Sequence, residues 1–429
     1  MKYCIKGGEI IDPAGGYLGS GDILIDGGQV AAIGRELPAE GAEIIMAAGK
    51  IVYPGLIDLH THLREPGRED EETIATGTKA AVKGGFTGVA CMANTDPVAD
   101  SPVVIEYILK KARESGWARV YPVGAITKGL RGEELAELGE MAAAGAVAFS
   151  DDGKTITNPA VLRSAMEYST LFQRPLLLHE EDPKLAGDGV MHEGYWSTVL
   201  GLPGIPAVAE DVITARDLLL AGHTGARVHF CHVSTRHSVE MIRRAKQEGI
   251  AVSAEATPHH LCLTDQLIES YNPVFRVSPP LRSPEHQEAL RRGLQDGTID
   301  VIATDHAPHS QEEKHREFSL APTGMIGLET ALAVIWTDLV QTGWLSKEQL
   351  VEKLAAAPAR ILGIAGGRLR PGDPADLVIF DPNAEWEVSA ADFVSKSKNS
   401  PFLGRRLKGK VESVWIHGNL KYHGQKFVE

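Results

Sequence analysis

The sequence predicts an α/β fold, a (β/α)8 TIM barrel with a small β-sandwich domain formed from the N- and C-terminal segments. Apolar, β-rich runs that end in a polar residue recur eight times, and helix-like segments lie between them. Continuous apolar strands alternating with amphipathic helices predict a parallel sheet that is buried on both faces. Eight such units over roughly 310 residues are typical of a closed barrel.

The barrel elements can be read along the chain in order. Glycines stand at the ends of several of the helix-like segments, where a C-cap is expected. The eight strand-like runs are IVYPGLIDLH, TGVACMAN, ARVYPVGA, GAVAFSDD, PLLLHE, RVHFCH, IAVSAEAT and TIDVIATDH. The helix-like segments include ETIATGTKAAVKGG, SPVVIEYILKKARESG, AVAEDVITARDLLLAG, RHSVEMIRRAKQEG and SPEHQEALRRGLQDG.

The two ends of the chain differ from its middle. Short strands alternate with turns in IKGGEIIDP and GDILIDGGQVAAIG near the start, and in GRLRPGDPADLVIFDP and VESVWIHGNLKY near the end. This spacing predicts a small antiparallel β unit. Because both ends share the pattern, we expect residues 1–53 and 366–429 to pack together as one β-sandwich domain. Residues 54–365 then form the (β/α)8 barrel.

The composition indicates a globular protein and limits its partners. Of the 429 residues, 43% are hydrophobic and 23% are charged. The net charge of −14 disfavours nucleic acid and anionic membranes as partners, since both attract basic surfaces. The four cysteines form no CxxC pair, which favours a reduced, cytoplasmic environment. We find no signal peptide and no apolar run of about 18 residues that could span a bilayer.

Metal-ligand residue types stand at the predicted strand ends. In a barrel of this kind the active site lies at the carboxyl ends of the strands. Side chains alternate along a strand, so two histidines that are two residues apart can converge on one ion. Nitrogen and oxygen donors of this kind suit Zn²⁺ or a similar divalent metal. The residues are His60, His62, Asp151, Asp152, His179, His232 and Asp305.

This set is large enough for two ions. If Asp152 forms a bridge, one ion takes His60, His62 and Asp305, and the other takes His179 and His232. Two neighbouring ions would activate a water molecule and polarise a carbonyl group, and Asp305 could also act as the general base. Strand alternation says only that Asp151 and Asp152 point to opposite sides, so either could be the bridge. A single histidine after an apolar run is more often a hydrogen-bonded core residue, but five strand ends together favour a metal site.

Three further residues are candidates for substrate binding. Arg64 lies two residues beyond His62, and its guanidinium matches a carboxylate with two parallel hydrogen bonds. Asn94 follows the second strand, and His309 follows Asp305 closely enough to reach the same end of the barrel. The polar segment from His309 to Gly324 is expected to be a mobile lid.

Most of the other histidines are expected to have no part in the site. His306 should point away from it, and a structural role is expected for the pair His259 and His260. A surface position is expected for His192, His223, His229, His237, His286, His315, His417 and His423.

Several motifs together resemble those of the bacterial type I dihydroorotases of the amidohydrolase superfamily. They are DLHTHLREPG, GGFTGVACMANTDPV, AFSDDGK, LLLHEE, FCHVST, SPPLRS, IATDHAPHS and GLETAL, with KSKNSPFLG near residue 400. They occur in order from about residue 50 to 335. An HxH strand is common to many amidohydrolases, whereas HLREP together with DHAPH is more specific.

The resemblance implies the reversible, zinc-dependent cyclisation of N-carbamoyl-L-aspartate to L-dihydroorotate in pyrimidine biosynthesis. It implies one or two Zn²⁺ ions per subunit, with two favoured, and it places the bridge on Asp152. It also implies a homo-oligomer, and some members of the family associate with aspartate transcarbamoylase. The zinc ligands fall on His60, His62, Asp152, His179, His232 and Asp305, with Asp305 also catalytic, and the substrate contacts on Arg64, Asn94, Ser278, His309, Thr323 and Gly324.

Two departures from the family pattern and two rival functions accompany this resemblance. The lesser departure is Thr323, where some relatives carry phenylalanine, because the contact expected there is largely through the backbone. Ser278 stands in SPPLR where many relatives have an asparagine, and one hydroxyl cannot offer both an amide donor and a carbonyl acceptor in the same geometry. The first rival is a related cyclic amidase of the hydantoinase, dihydropyrimidinase or allantoinase type. The second is a catalytically silent partner of aspartate transcarbamoylase, which we would expect to have lost ligands.

Overall fold

Eight parallel strands form the barrel in the computed structural model, which describes residues 1–428. Each strand pairs with its neighbours in chain order. A parallel bridge between Thr61 and His306 joins the two ends of the sheet, and the His62 amide donates to the His306 carbonyl. The fold class is therefore confirmed. The strands span Leu56–Thr61, Phe86–Cys91, Arg119–Gly124, Ala148–Phe149, Leu176–Leu178, Val228–Phe230, Val252–Ala256 and Val301–Ile302.

The helices between the strands cover the outside of the barrel. Each of the five helix-like segments forms a helix, and the glycine ends are as expected: Gly116 adopts a left-handed φ of 67° as the cap of its helix. The principal helices span Ile74–Lys83, Pro102–Ser115, Leu138–Ala144, Pro159–Ser169, Val208–Thr224, Arg236–Gln247, Pro284–Asp296, Ala331–Ile335, Lys347–Val351 and Ala357–Leu362. Shorter ones span Pro183–Ala186, Tyr195–Leu200, Pro258–Cys262 and Gln311–Lys314.

The first predicted strand is in fact two strands. Ile51–Pro54 belongs to the sheet of the terminal segments, and Leu56–Thr61 begins the barrel. Gly55 lies between them, and a Cβ atom at this position would come within 2.3 Å of the Thr87 hydroxyl. The close approach of the second barrel strand therefore requires glycine at the point where the chain passes from one sheet to the other.

The terminal segments join in one nine-stranded sheet with its own apolar core. Strands from both ends are hydrogen-bonded, since Ile51–Pro54 pairs with Leu377–Glu387. A bridge between Gln29 and Pro374 also brings the outer N-terminal strand back to the C-terminal half. The predicted limits at residues 53/54 and 365/366 stay a prediction. The strands are Tyr3–Asp12, Tyr17–Asp26, Gln29–Gly34, Glu43–Met46, Ile51–Pro54, Leu377–Glu387, Arg406–Ile416, Asn419–His423 and Lys426–Phe427.

The helices also bear on the question of membrane insertion. Across residues 1–428, none of them combines the length and the apolar character that are needed to cross a bilayer.

Candidate active site

A cavity of about 470 Å³ opens at the carboxyl ends of the barrel strands. His60 is fully buried and lies outside its wall. Asp151 also lies outside it, and the remaining residues that the sequence singled out line it: His62, Arg64, Asn94, Asp152, His179, His232, Ser278, Asp305, His309, Thr323 and Gly324. The barrel therefore brings the candidate metal ligands and the candidate substrate contacts to one place.

The candidate ligands form two compact groups with one carboxylate between them. Donor atoms of His60, His62 and Asp305 all lie within 4.8 Å of one another, and so do those of Asp152, His179 and His232. Asp152 also reaches the first group, with its Oδ2 atom 3.3 Å from Nε2 of His60. Two three-donor groups that share a carboxylate are an arrangement that can hold two divalent ions.

The His60 ring is oriented to offer one nitrogen to a metal. Its Nδ1 lies 2.6 Å from a carboxylate oxygen of Glu255, so Nδ1 donates and Nε2 is the nitrogen available to a metal ion. Nε2 is buried and has no hydrogen-bond partner among residues 1–428. A buried polar atom without a partner is unusual in a folded protein, and a bound cation would satisfy it. The residues present therefore fit a metal ion.

The backbone is unusual at two of the candidate ligands. His232 and Asp305 have positive φ angles of 32° and 47°, in the left-handed region that residues with a side chain seldom adopt. His232 lies two residues, and Asp305 three residues, beyond the end of a short barrel strand. Such conformations persist where the surrounding structure imposes them, and they concentrate at functional sites.

Asp151 and Asp152 have different environments. The Asp151 carboxylate turns away from the histidines and accepts the backbone N–H groups of Ile126 and Thr127 at 2.8 and 2.9 Å. Asp152 lies among the histidines, with its Oδ1 atom 3.1 Å from Nε2 of His232. Strand alternation allowed either aspartate to be the bridge, and the family resemblance favours Asp152. The structure places Asp152, rather than Asp151, beside both groups of candidate ligands.

The histidines of the site stabilise the ionised forms of Asp152 and Asp305. Burial acts to raise the pKa of the Asp152 carboxyl, but His60, His179 and His232 hold this pKa well below its ordinary value. Burial likewise acts against the Asp305 carboxylate, and His60 and the other nearby histidines lower its pKa. Both aspartates are therefore ionised, as a carboxylate must be to bind a metal.

A buried polar layer beneath the site was missed by sequence reasoning. Glu255, on the seventh barrel strand, is fully buried; it contacts His60 through one oxygen and accepts from Nε2 of His229 at 3.1 Å through the other. Nδ1 of His229 lies 2.8 Å from the Ser253 hydroxyl. The predicted surface position of His229 is wrong, because this histidine points into the barrel. The available signal was Glu255 itself, since a carboxylate in an otherwise apolar run needs a buried partner.

His192 was also wrongly expected at the surface. It is buried against Arg282, whose guanidinium lies 3.2 Å from its Nδ1. Burial and the neighbouring positive charge lower its pKa to about 3. His192 is therefore neutral and structural.

Arg64 reaches the cavity by a turn of the chain. The first barrel strand ends at Thr61, and Arg64 has a φ of 61°, so the alternation that places His60 and His62 does not extend to it. Its Nε donates to the Pro308 carbonyl at 3.1 Å and lies 3.1 Å from a carboxylate oxygen of Glu71. These contacts hold the guanidinium at the cavity wall.

Asn94 and Ser278 line the same cavity with other partners. The side-chain oxygen of Asn94 accepts from Nδ1 of His62 at 2.8 Å, so a substrate contact would use its amide N–H groups. The Ser278 hydroxyl lies 3.5 Å from a carboxylate oxygen of Glu181.

The segment from residue 309 to 324 is held at several points. The Lys314 ammonium is buried and donates to the carbonyls of Pro273 and Pro322 at 2.9 and 2.8 Å. Arg276, a cavity residue that sequence reasoning missed, donates to the carbonyl of Ala321 at 2.6 Å. Within the segment, Nε2 of His309 donates to the Thr323 carbonyl. The expected mobility of this segment stays a prediction.

A closed parallel barrel whose strand ends carry two groups of histidine and aspartate defines a metal-dependent amidohydrolase. The profile of a family described as Dihydro-orotase-like matches residues 49–238. A dihydroorotase of Pelotomaculum thermopropionicum is 54% identical over 420 residues, which cover 98% of each chain. That of Acetivibrio thermocellus is 50% identical over 416 residues, 97% of this chain and 98% of the relative. The chain belongs to the dihydroorotase family.

Solved structures of cyclic amidases share the whole fold. The L-hydantoinase (dihydropyrimidinase) of Arthrobacter aurescens superimposes with a TM-score of 0.89 at 26% identity, covering all of this chain and 97% of the other. A D-hydantoinase (dihydropyrimidinase) from Thermus sp. has a TM-score of 0.81 at 25% identity, covering 99% and 96%.

Proposed function

We propose that this protein catalyses the reversible ring closure of N-carbamoyl-L-aspartate to L-dihydroorotate. The observation that carries the proposal is the Arg64 guanidinium, whose side chain is only 12% exposed, at the wall of the cavity that holds the histidine and aspartate groups. The substrate has a carboxylate next to its reacting amide, and a guanidinium pairs with a carboxylate in a fixed geometry. Relatives that are about half identical over nearly the full chain bear the dihydroorotase name.

We also propose Zn²⁺ as the metal, with two ions per chain. His60, His62 and Asp305 would hold one ion, His179 and His232 the other, and Asp152 would bridge them. When bound, such ions polarise the amide carbonyl and make water a better nucleophile.

Asp305 would move the proton. In ring opening, an O–H proton of the attacking water passes to the Asp305 carboxylate as the water oxygen bonds to the amide carbon. The C–N bond then breaks, and Asp305 returns the proton to the departing ring nitrogen. Ring closure follows the same path in reverse, so one carboxylate serves as base in one direction and as acid in the other.

The remaining cavity residues would bind and orient the ring. Arg64 would hold the substrate carboxylate, helped by N–H groups of Asn94 and His309, while Thr323 and Gly324 would contribute backbone contacts. In the present conformation Nε2 of His309 donates to the Thr323 carbonyl and the Gly324 amide donates to the Arg276 carbonyl, so both contacts require a local rearrangement. Ser278 would offer one hydroxyl where many relatives have an amide.

Metal removal tests the proposal directly. The purified protein should open the ring of L-dihydroorotate, and dialysis against a chelator should reduce the rate at least tenfold because the cavity residues alone supply no strong electrophile. Adding Zn²⁺ should restore the rate. The rate of absorbance loss at the dihydroorotate band, with metal content measured on the same samples, checks this. No turnover by the untreated protein, or turnover that is insensitive to chelation, would refute the proposal.

Arg64→Ala distinguishes this function from that of a cyclic amidase whose substrate has no ring carboxylate. Loss of a buried, hydrogen-bonded charge partner costs at least about 2 kcal/mol, so kcat/KM for L-dihydroorotate should fall roughly 30-fold or more. Arg163→Ala, on the exposed side of the helix Pro159–Ser169, is the matched control and should leave the kinetics unchanged. Full activity of Arg64→Ala would instead favour a hydantoinase-like enzyme.

Two further expectations concern partners. All six candidate ligands are present, which argues against a catalytically silent partner of aspartate transcarbamoylase. A homo-oligomer and an association of the active enzyme with aspartate transcarbamoylase stay predictions.

A further inference from the structure

Glu71 is a buried carboxylate at the edge of the cavity to which neither the motifs nor the proton transfer assigns a role. Its side chain is 2% exposed and lies in the loop between the first barrel strand and its helix. A carboxylate is costly to bury unless its charge is used by nearby donors. The identity of those donors indicates what Glu71 does.

Glu71 joins the two side chains that line the cavity as candidate carboxylate contacts. Its Oε2 lies 3.1 Å from Nε of Arg64, and its Oε1 accepts from Nδ1 of His309 at 2.9 Å. His309 comes from beyond the eighth strand, 238 residues further along the chain. One carboxylate thus sets the distance and the relative orientation of two groups from opposite ends of the barrel sequence.

The contact also determines which part of Arg64 is available. Nε of Arg64 donates to the Pro308 carbonyl and lies 3.1 Å from Oε2 of Glu71 in an ion pair. The two terminal nitrogens make no hydrogen bond among residues 1–428 and belong to a side chain that lines the cavity. They form the half of the guanidinium that grips a carboxylate with two parallel bonds. The Glu71 ion pair and the Pro308 hydrogen bond therefore together orient Arg64 for bidentate binding.

A second arginine connects this arrangement with the segment from residue 309 to 324. Arg68 lies 3.1 Å from Oε1 of Glu71 and 3.0 Å from a carboxylate oxygen of Glu313, in the short helix Gln311–Lys314. Arg64 and His309 hold Glu71 ionised, since they lower its pKa although burial acts to raise it. Glu71 is thus a fixed negative charge between the cavity wall and the segment from residue 309 to 324.

We propose that Glu71 is the positioning residue that gives this site its selectivity for a ring that carries a carboxylate. The inference rests on the proposed function and adds the residue through which Arg64 and His309 act together. Glu71 itself touches neither the substrate nor the candidate metal ligands. Its loss should weaken recognition of the carboxylate and leave the metal and the proton transfer intact.

Glu71→Gln is the test variant because it keeps the shape of the side chain. An amide can accept through its oxygen, but its N–H2 group meets a second donor, so either Arg64 or His309 must move. We expect KM for L-dihydroorotate to rise about tenfold and kcat to change by less than about twofold. Asp70→Asn is the matched control. The Asp70 carboxylate lies in the same loop but pairs only with Arg68, so its removal should leave KM and kcat unchanged.

Binding of two inhibitors separates positioning from general disruption. Calorimetry with orotate, which carries the carboxylate, should show affinity about tenfold weaker in Glu71→Gln than in the parent protein. Acetohydroxamate, a metal-directed ligand without a carboxylate, should bind both proteins equally, and the metal content should be the same. Glu71→Asp keeps the negative charge but places it closer to the backbone, so it should weaken orotate binding less than Glu71→Gln does. It is the replacement test variant if Glu71→Gln does not fold.

Two outcomes would overturn the inference. One is unchanged orotate affinity in Glu71→Gln. The other is an equal loss of orotate and acetohydroxamate affinity together with loss of metal, which would make Glu71 a purely structural residue. Because binding is measured without turnover, these outcomes are distinct from failure of the proposed function, which would appear as a lack of activity in the parent protein.

Discussion

Asp305→Asn should reduce the rate of ring opening on the order of 10³-fold while KM changes little. An amide cannot accept the proton of water or return it to the ring nitrogen, and a positioned acid–base group contributes about 10²- to 10⁴-fold. Asp305 is also beside His62, with Oδ1 3.0 Å from Nε2, so the metal content of the variant must be known. Steady-state kinetics in both directions, on protein saturated with Zn²⁺, measure the effect.

Asp300→Asn provides the control for this variant. Asp300 lies immediately before the strand Val301–Ile302, at the opposite end of that strand from Asp305. Its carboxylate accepts a hydrogen bond from the Ala254 amide at 2.9 Å and pairs with Lys246. The same substitution there should leave the kinetics within about twofold. If Asp305→Asn retained a tenth of the parent rate with its metal bound, Asp305 would not be the proton carrier.

Asp152→Asn should lose at least one metal ion per chain and retain less than about 1% of the activity. Asp152 is the carboxylate that contacts both groups of candidate ligands, through His60 at 3.3 Å and His232 at 3.1 Å. A neutral amide is a poor bridge between two cations, because the negative charge that offsets their repulsion is gone. Metal analysis after dialysis, together with the ring-opening rate, measures both effects.

Asp151→Asn is the matched variant at the adjacent position. Its carboxylate accepts two backbone N–H groups and the Thr127 hydroxyl, so its replacement should lower thermal stability by about 1–2 kcal/mol and leave the metal content unchanged. The reverse result, with metal lost from Asp151→Asn and kept by Asp152→Asn, would move the bridge to Asp151.

Much of this site could be predicted from the sequence because its ligands follow local rules. His60 and His62 lie on one strand, and a period of two puts both on the same side. His179, His232 and Asp305 follow apolar runs, and strand ends of a parallel barrel meet at one rim. Periodicity and position in the barrel are enough to bring such residues together, whatever the details of packing.

Other features could not be predicted because they depend on contacts between distant parts of the chain. Glu255 meets His60 across 195 residues, and His229 was assigned to the surface because nothing local shows which side of its short strand is buried. Arg64 reaches the cavity through a left-handed turn, which strand alternation does not describe. In each case the deciding partner lies on another strand or loop.

The sequence alone determined the barrel, the joining of its two ends in one unit, the set of candidate ligands and the need for a positive group beside them. Only the tertiary structure decided that Asp152 rather than Asp151 faces the histidines, that Glu255 orients His60, and that Glu71 ties Arg64 to His309. The physical reason is the range of the forces involved. Hydrophobic periodicity is a property of residues that are neighbours in the sequence. A buried charge is instead satisfied by whichever donors the completed fold brings within about 3 Å.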